Sequence, residues 1–224
     1  MLGLAAQVKE GIRILGQGGL VAFPTDTVFA LGADAFNCPA VKRVYEVKSR
    51  PRQMAVPLLV CDILQIRAIA QSIPEVARFM IERFLPGGLT LILPAGESLP
   101  AYLGHDGGIA VRIPDHPVPR ALAEGLGGPI VGTSANISGC PSALSAGEVE
   151  CQIGGKVDFV IEDGRRSPGR ESTIVSVMGK TPVVLREGVV PRREIEKACA
   201  QFYRARVSGF FAEEEETTRL RRNA

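Results

Sequence analysis

A single α/β domain built around a mixed β-sheet is the fold class that this sequence predicts. Helical stretches and short apolar strands alternate through the first half of the chain, and strands crowd together once Pro86-Gly87-Gly88 is passed. That order suits a mixed sheet better than a regular parallel one. The length of 224 residues, 46% of them hydrophobic and 22% charged, is ordinary for a globular protein with a substantial core. No internal repeat and no linker-like composition interrupts the chain before residue ~205.

Residues ~4–16 form an amphipathic helix with Leu4, Val8, Ile12 and Leu15 on one stripe, and Gly18-Gly19 ends it. Leu20-Val21-Ala22-Phe23 is a short buried strand closed by Pro24. A second helix covers residues ~39–48, with Pro39 in its first turn and Val41, Val44 and Tyr45 in apolar register. Pro57 to Cys61 reads as another buried strand, and Pro74 to Leu85 as a helix. Leu89 to Leu93 and Ile109 to Ile113 are strands, followed by a helix over ~117–125 and a strand at Ile130-Val131. That strand leads into a loop crowded with polar and small residues, Gly132-Thr133-Ser134-Ala135-Asn136-Ile137-Ser138-Gly139. Such a loop is either an ordinary polar turn or a ligand-holding segment. A helix over Ala146 to Ile153 follows, then strands at Val157 to Ile161, Thr173 to Val177 and Val183 to Leu185, and a last helix over ~191–204. Residues 1–204 are expected to form the domain. Residues 205–224, with the run Glu213 to Glu216 and then Arg219, Arg221 and Arg222, are expected to be a charged, flexible tail.

Composition removes several function classes. Tryptophan is absent and aromatics make up 5%, so the core must rest on Val, Ile, Leu and Ala. A net charge of +2 argues by itself for neither nucleic acid nor membrane. Cys38, Cys61, Cys140, Cys151 and Cys199 are odd in number and form no CxxC pair. A disulfide framework or structural zinc is therefore not expected, and a reducing, cytoplasmic location is. No apolar run is long enough to span a bilayer, and the first ten residues lack the basic and apolar regions of a secretory signal.

The chemistry-bearing residues are scattered but share a type. Pro24-Thr25-Asp26-Thr27 follows the first strand directly, placing two hydroxyls and a carboxylate where they bind a polar ligand or cap the next segment. Lys48-Ser49-Arg50-Pro51 closes a helix, and a point charge beside a planar fork suits a polyphosphate as well as the helix dipole. Arg112 lies inside an apolar strand and Arg186 at the end of another. Each calls for an anionic ligand or a structural carboxylate. There is no GxxxxGK[ST] loop, no GxGxxG after a strand, no GxSxG elbow and no acidic cluster resembling a protein-built metal site. The remaining pattern suits an enzyme that binds polyanions and works by positioning and electrostatics.

An ordered series of segments resembles the YrdC-like threonylcarbamoyl-adenylate synthase family. These are Pro24-Thr25-Asp26-Thr27-Val28 with Leu31-Gly32-Ala33-Asp34-Ala35, Lys48-Ser49-Arg50-Pro51, Pro57-Leu58, Pro86-Gly87 with Leu89-Thr90, and Val111-Arg112-Ile113-Pro114. Thr133 to Gly139, Ser172-Thr173-Ile174-Val175 and Leu185-Arg186-Glu187-Gly188 complete it, over about residues 10 to 200. The resemblance implies a twisted mixed sheet flanked by helices around an open cleft. It implies a reaction in which L-threonine, bicarbonate and ATP give threonylcarbamoyl-AMP and pyrophosphate. A separate tRNA threonylcarbamoyl transferase then uses the product, and a tRNA contact is a further expectation. Carried over residue by residue, Lys48 and Arg50 match the phosphate-binding pair. Ser134, Asn136, Ser142 and Arg186 match nucleotide contacts. Thr27, Arg112, Ser172 and the position of Cys61 match the surroundings of threonine. Mg2+ is expected to be carried by ATP oxygens rather than by a protein-built site.

The sequence departs from the family pattern in places. Phe29-Ala30 stands where Tyr-Gly is usual, Cys61 stands where many members have a histidine, and Met54 replaces a polar residue in a lengthened segment between Pro51 and Pro57. The longer members carry an extra C-terminal domain, which is not expected within these 224 residues. Two rival readings remain at this level: a YrdC-like enzyme forming a different acyl- or carbamoyl-adenylate, and a noncatalytic RNA-binding module using the same basic cleft.

Overall fold

In chain order the computed structural model forms α1 (Leu4–Gly16), β1 (Val21–Phe23), β2 (Ala30–Asp34), α2 (Cys38–Lys48), β3 (Leu58–Leu59) and α3 (Ile63–Ile69). There follow α4 (Glu75–Phe84), β4 (Leu89–Pro94), β5 (Gly108–Arg112), α5 (Pro117–Leu126), β6 (Ile130–Ser134), α6 (Ala146–Ile153), β7 (Phe159–Val160), β8 (Thr173–Ser176) and β9 (Val183–Arg186). A final helix, α7, spans 192–206. The described residues are 2–51, 56–97 and 99–206. Met54 and nearly all of the expected tail, 207–224, lie outside them.

One sheet takes all nine described strands in the order β7-β1-β2-β6-β3-β5-β4-β8-β9. The pairs β1/β7, β3/β5 and β4/β8 are parallel and the rest antiparallel, so the mixed sheet expected from the sequence is present. Because side chains alternate across a strand, the sheet has two distinct faces. On one face Leu31, Leu58, Leu89, Leu91, Val111, Val131 and Val175 pack with residues of α2, α3, α4, α6 and α7 into the main core. On the other, Val21, Phe23, Ala30, Leu59 and Ile130 pack under Leu15 of α1 and Val118 and Leu122 of α5. That second layer covers only the end of the sheet around β1, β2, β3 and β6. Over β4, β5 and β8 no described element covers this face, and the candidate site is there.

Local signals explain most element boundaries. The Asn37 side chain accepts from Ala40 N at 3.1 Å and caps α2, with Pro39 in the first turn as expected. Ser145 caps α6 through Glu148 N at 3.3 Å. Two elements have no counterpart in the sequence reading. Strand β2 is Ala-Leu-Gly-Ala-Asp, poor in β-branched residues, and it exists because β1 and β6 pair with both its edges. Helix α3 is seven residues long, too short for a periodic signal, and is started by Asp62 accepting from Gln65 N at 3.0 Å. The expected loop after Ile130-Val131 is also corrected: Thr133 and Ser134 continue β6 as paired residues.

Candidate active site

The pleat of the open half-sheet lays alternate residues into a cavity of about 310 Å³. Thr90 and Ile92 of β4, Ala110 and Arg112 of β5, Ile174 of β8 and Leu59 of β3 form the floor. Gly132 of β6 is part of the same surface, and a Cβ there would stand 2.4 Å from Leu59 Cδ1. Thr25, Thr27, Ser134, Ser172, Arg50, Arg186 and Glu171 supply the polar rim.

Arg112, 6% exposed, is held by three protein acceptors. Its Nε donates to Gly87 O at 2.9 Å, Nη1 to Thr27 Oγ1 at 2.9 Å, and Nη2 to Asp26 Oδ1 at 2.5 Å. Thr25 fixes this corner by donating to Val28 O at 2.6 Å and accepting from Thr27 N at 3.1 Å. Both possibilities that the sequence left open for Arg112 and Asp26 are thereby reduced to one geometry. The buried arginine has its structural carboxylate, and its side chain still lines the cavity. Deeper in, Thr90 Oγ1 donates to Ser172 Oγ at 2.9 Å, and both side chains are buried.

Two further cations, Arg50 and Arg186, line the cavity. Ser49 ends α2 in the left-handed conformation, φ 51°, and this turn delivers Arg50 to the cavity wall. Burial pushes the Arg50 pKa down, Arg186 adds to that, and Tyr45 and Glu171 oppose it. Arg186 grips the start of β8: Nη2 donates to Ser172 O at 2.9 Å, and Nη1 pairs with Glu171. Glu171 Oε1 accepts from Ser142 Oγ at 3.1 Å.

Lys48 lies behind this wall. It is 1% exposed and does not line the cavity. Its Nζ donates to Asn136 O at 2.8 Å, to Asn136 Oδ1 at 3.1 Å and to Ser134 O, while Lys48 O accepts from Ser138 N at 2.9 Å. An ammonium has three donors. All three point into the polar loop from behind. Burial, then repulsion from Arg50, lowers its pKa to about 8, and Glu171 acts the other way. Asn136 is likewise behind the wall, its Nδ2 donating to Cys140 O at 2.6 Å and Ile137 O at 3.0 Å.

Of the ten site residues expected from the sequence, Thr27, Arg50, Arg112, Ser134, Ser172 and Arg186 line the cavity together. Lys48 and Asn136 brace its wall, and Ser142 reaches it through Glu171. Cys61 is not brought to it. The chain bends away from β3 at Cys61, whose N donates to Gln65 Oε1 at 3.0 Å and whose O accepts from Arg120 of α5, so the thiol packs against the α1–α5 layer. Burial raises its pKa, the reverse of thiolate activation. Glu171 and Thr90 were not expected as site residues on their chemistry. No local signal distinguishes Glu171 from a surface acid, because its place depends on the fold pairing β8 with both β4 and β9.

Among the described residues no group of three or more His, Cys, Asp and Glu could hold a metal, and no helix is long and apolar enough to cross a membrane. Residues 13–188 match the Sua5–YciO–YrdC family model, described as telomere recombination. A threonylcarbamoyl-AMP synthase of Pyrococcus abyssi is 41% identical over 87% of this chain and 58% of its own length. The Bacillus subtilis protein of that name is 38% identical over 85% of this chain and 56% of its own. The chain thus spans less than three fifths of either relative. A crystal structure of P. abyssi Sua5 complexed with L-threonine superposes with a TM-score of 0.83 at 39% identity, covering 88% of this chain and 58% of that one.

Proposed function

Because the chain belongs to the Sua5–YciO–YrdC family, we propose that it makes threonylcarbamoyl-AMP from L-threonine, bicarbonate and ATP, for threonylcarbamoyladenosine modification of tRNA. The observation that carries this reading is the polarity of one cavity. Arg112, Arg50 and Arg186 line it together with the hydroxyls of Thr27, Thr90, Ser134 and Ser172.

In this reading the Arg112 fork takes the threonine carboxylate, with Thr27 and Ser172 supplying the short hydroxyl contacts that select a small hydroxy amino acid. The threonine amine adds to the carbon of bicarbonate and water leaves, giving a carbamate. A carbamate oxygen attacks the α-phosphorus of ATP, and the bond from the α-phosphorus to the bridging oxygen breaks, so that pyrophosphate leaves. Negative charge collects on phosphate oxygens, where Arg50, Arg186 and the Ser134 loop stabilise it without any protein nucleophile. Mg2+ bound with ATP would screen that charge. Asn136 and Lys48 serve by holding the Ser134 loop, and Ser142 by orienting Glu171.

Pyrophosphate release with L-threonine, dependent on both bicarbonate and ATP, is the expected result. A panel of amino acids with no release for any of them overturns the reading. The product's consumer, a tRNA threonylcarbamoyl transferase, is part of the proposal, as is action in the cytoplasm.

A further inference from the structure

Glu171 is out of place in a polyanion site. It is the only acidic residue among the described lining of the cavity, and it stands beside Arg186 and within electrostatic reach of Arg50 and Lys48. A carboxylate at this position repels a bare triphosphate where the cations gather to attract one. Its geometry is nonetheless well fixed. One oxygen accepts from Ser142 Oγ at 3.1 Å, and the other pairs with Arg186 Nη1. These two donors set its direction. Arg186 is itself tied to Ser172 O by Nε at 3.2 Å and Nη2 at 2.9 Å, so the ion pair is anchored to the backbone of the cavity wall. The Glu171 side chain keeps 39% exposure, enough to meet a ligand in the cleft.

We propose that Glu171 is the protein's ligand for the divalent cation that accompanies ATP, so that the cleft recognises the metal–nucleotide complex in preference to free ATP. This rests on the nucleotide reading above. A hard cation such as Mg2+ is held by one or two carboxylates together with substrate phosphates and water, rather than by a full protein cage. One carboxylate among phosphate-binding arginines fits that pattern, and it accounts for the absence of any described acidic cluster. The cation would join the Glu171 carboxylate to phosphate oxygens and turn the repulsion into a bridge. Free ATP would meet the carboxylate unscreened.

The test compares binding of a nonhydrolysable ATP analogue by titration calorimetry, in excess chelator and in saturating Mg2+, for wild type and Glu171→Gln. In wild type, Mg2+ should tighten binding by about tenfold or more. In Glu171→Gln, metal-free binding should stay equal or become tighter, and the Mg2+ effect should shrink to less than about threefold. Electron paramagnetic resonance of Mn2+ in the ternary complex should report metal binding at least about tenfold weaker in the variant. Equal weakening of the metal-free and metal-bound complexes would instead make Glu171 a positioning residue for Arg186, and would overturn the proposal. A Mg2+ effect retained at full size would overturn it too. Glu171→Asp keeps the charge and shortens the reach. It should retain a Mg2+ effect intermediate between the other two proteins, and covers the case in which the glutamine variant fails to fold. If wild type binds the analogue under neither condition, the nucleotide reading itself falls.

Discussion

Lys48 carries a charge that its burial opposes, while three loop oxygens solicit it, and the two effects separate with pH. Its pKa of about 8 lies below the roughly 10.4 of an unfolded lysine. Raising pH through 8 removes one donor and turns a lone pair toward Ser134 O and Asn136 O. Affinity for an ATP analogue should therefore fall severalfold between pH 7.5 and 9 as the loop loosens, and Lys48→Met should bind weakly with a flat profile. Stability linked to this group moves the other way. Between about 8 and 10.4 the unfolded chain binds more protons than the folded one, so folding gains from rising pH. An affinity loss without a drop in Tm is the expected pair of results. In the cavity lining, Arg112→Lys keeps a cation near Asp26 but loses the fork, and should raise the threonine KM about tenfold with the ATP KM little changed. Arg112→Ala leaves Asp26 without its partner and should cost about 3–5 kcal/mol of folding stability by urea titration. Cys61→Ala, outside the cavity, should leave the threonine KM within about twofold, a result that a direct contact would not allow.

The segment after β9 shows how one element sets another's position. Thr173 Oγ1 accepts from Gly188 N at 2.8 Å and Val190 N at 3.1 Å, stapling the chain beyond Arg186 onto β8. A Cβ on Gly188 would stand 2.2 Å from Glu171 O. Gly188→Ala should thus lift this segment, displace Arg186 and Glu171 together, and cost about 1–3 kcal/mol in thermal unfolding along with analogue affinity. The contrast between elements also explains what could be read in advance. Helices α1, α2, α4 and α5 announced themselves by period and punctuation, because each buries one stripe. Strand β2 did not, since Ala30 to Ala33 are buried throughout and carry no alternation. Arg112 and Arg186 were legible as charges in apolar runs. Their partners Asp26 and Glu171 were not, because those contacts join residues 86 and 15 positions apart. Lys48 was legible as a cation beside Arg50, but its direction, inward rather than toward the cleft, is set by packing.

All site residues fall between Thr25 and Arg186, well inside the described body. A protein shortened after Arg206 should accordingly release pyrophosphate with wild-type kcat, and loss of turnover in a folded truncation would place a substrate contact beyond it. The half-covered sheet has a consequence of another kind. Where α1 and α5 stop, the floor of Thr90, Ile92, Ala110 and Ile174 has no second layer among the described residues, and under the proposed function the nucleotide with its amino acid would supply one. Substrate then counts as a structural part, and occupancy adds to stability as RT ln(1 + [L]/Kd). At a hundredfold excess over Kd that is about 2.7 kcal/mol, or roughly 5–10 °C in Tm for a protein of this size. A starved cell would hold the looser, more protease-sensitive form and a fed one the tighter form. The lifetime of the protein would then track the supply of the molecules it consumes.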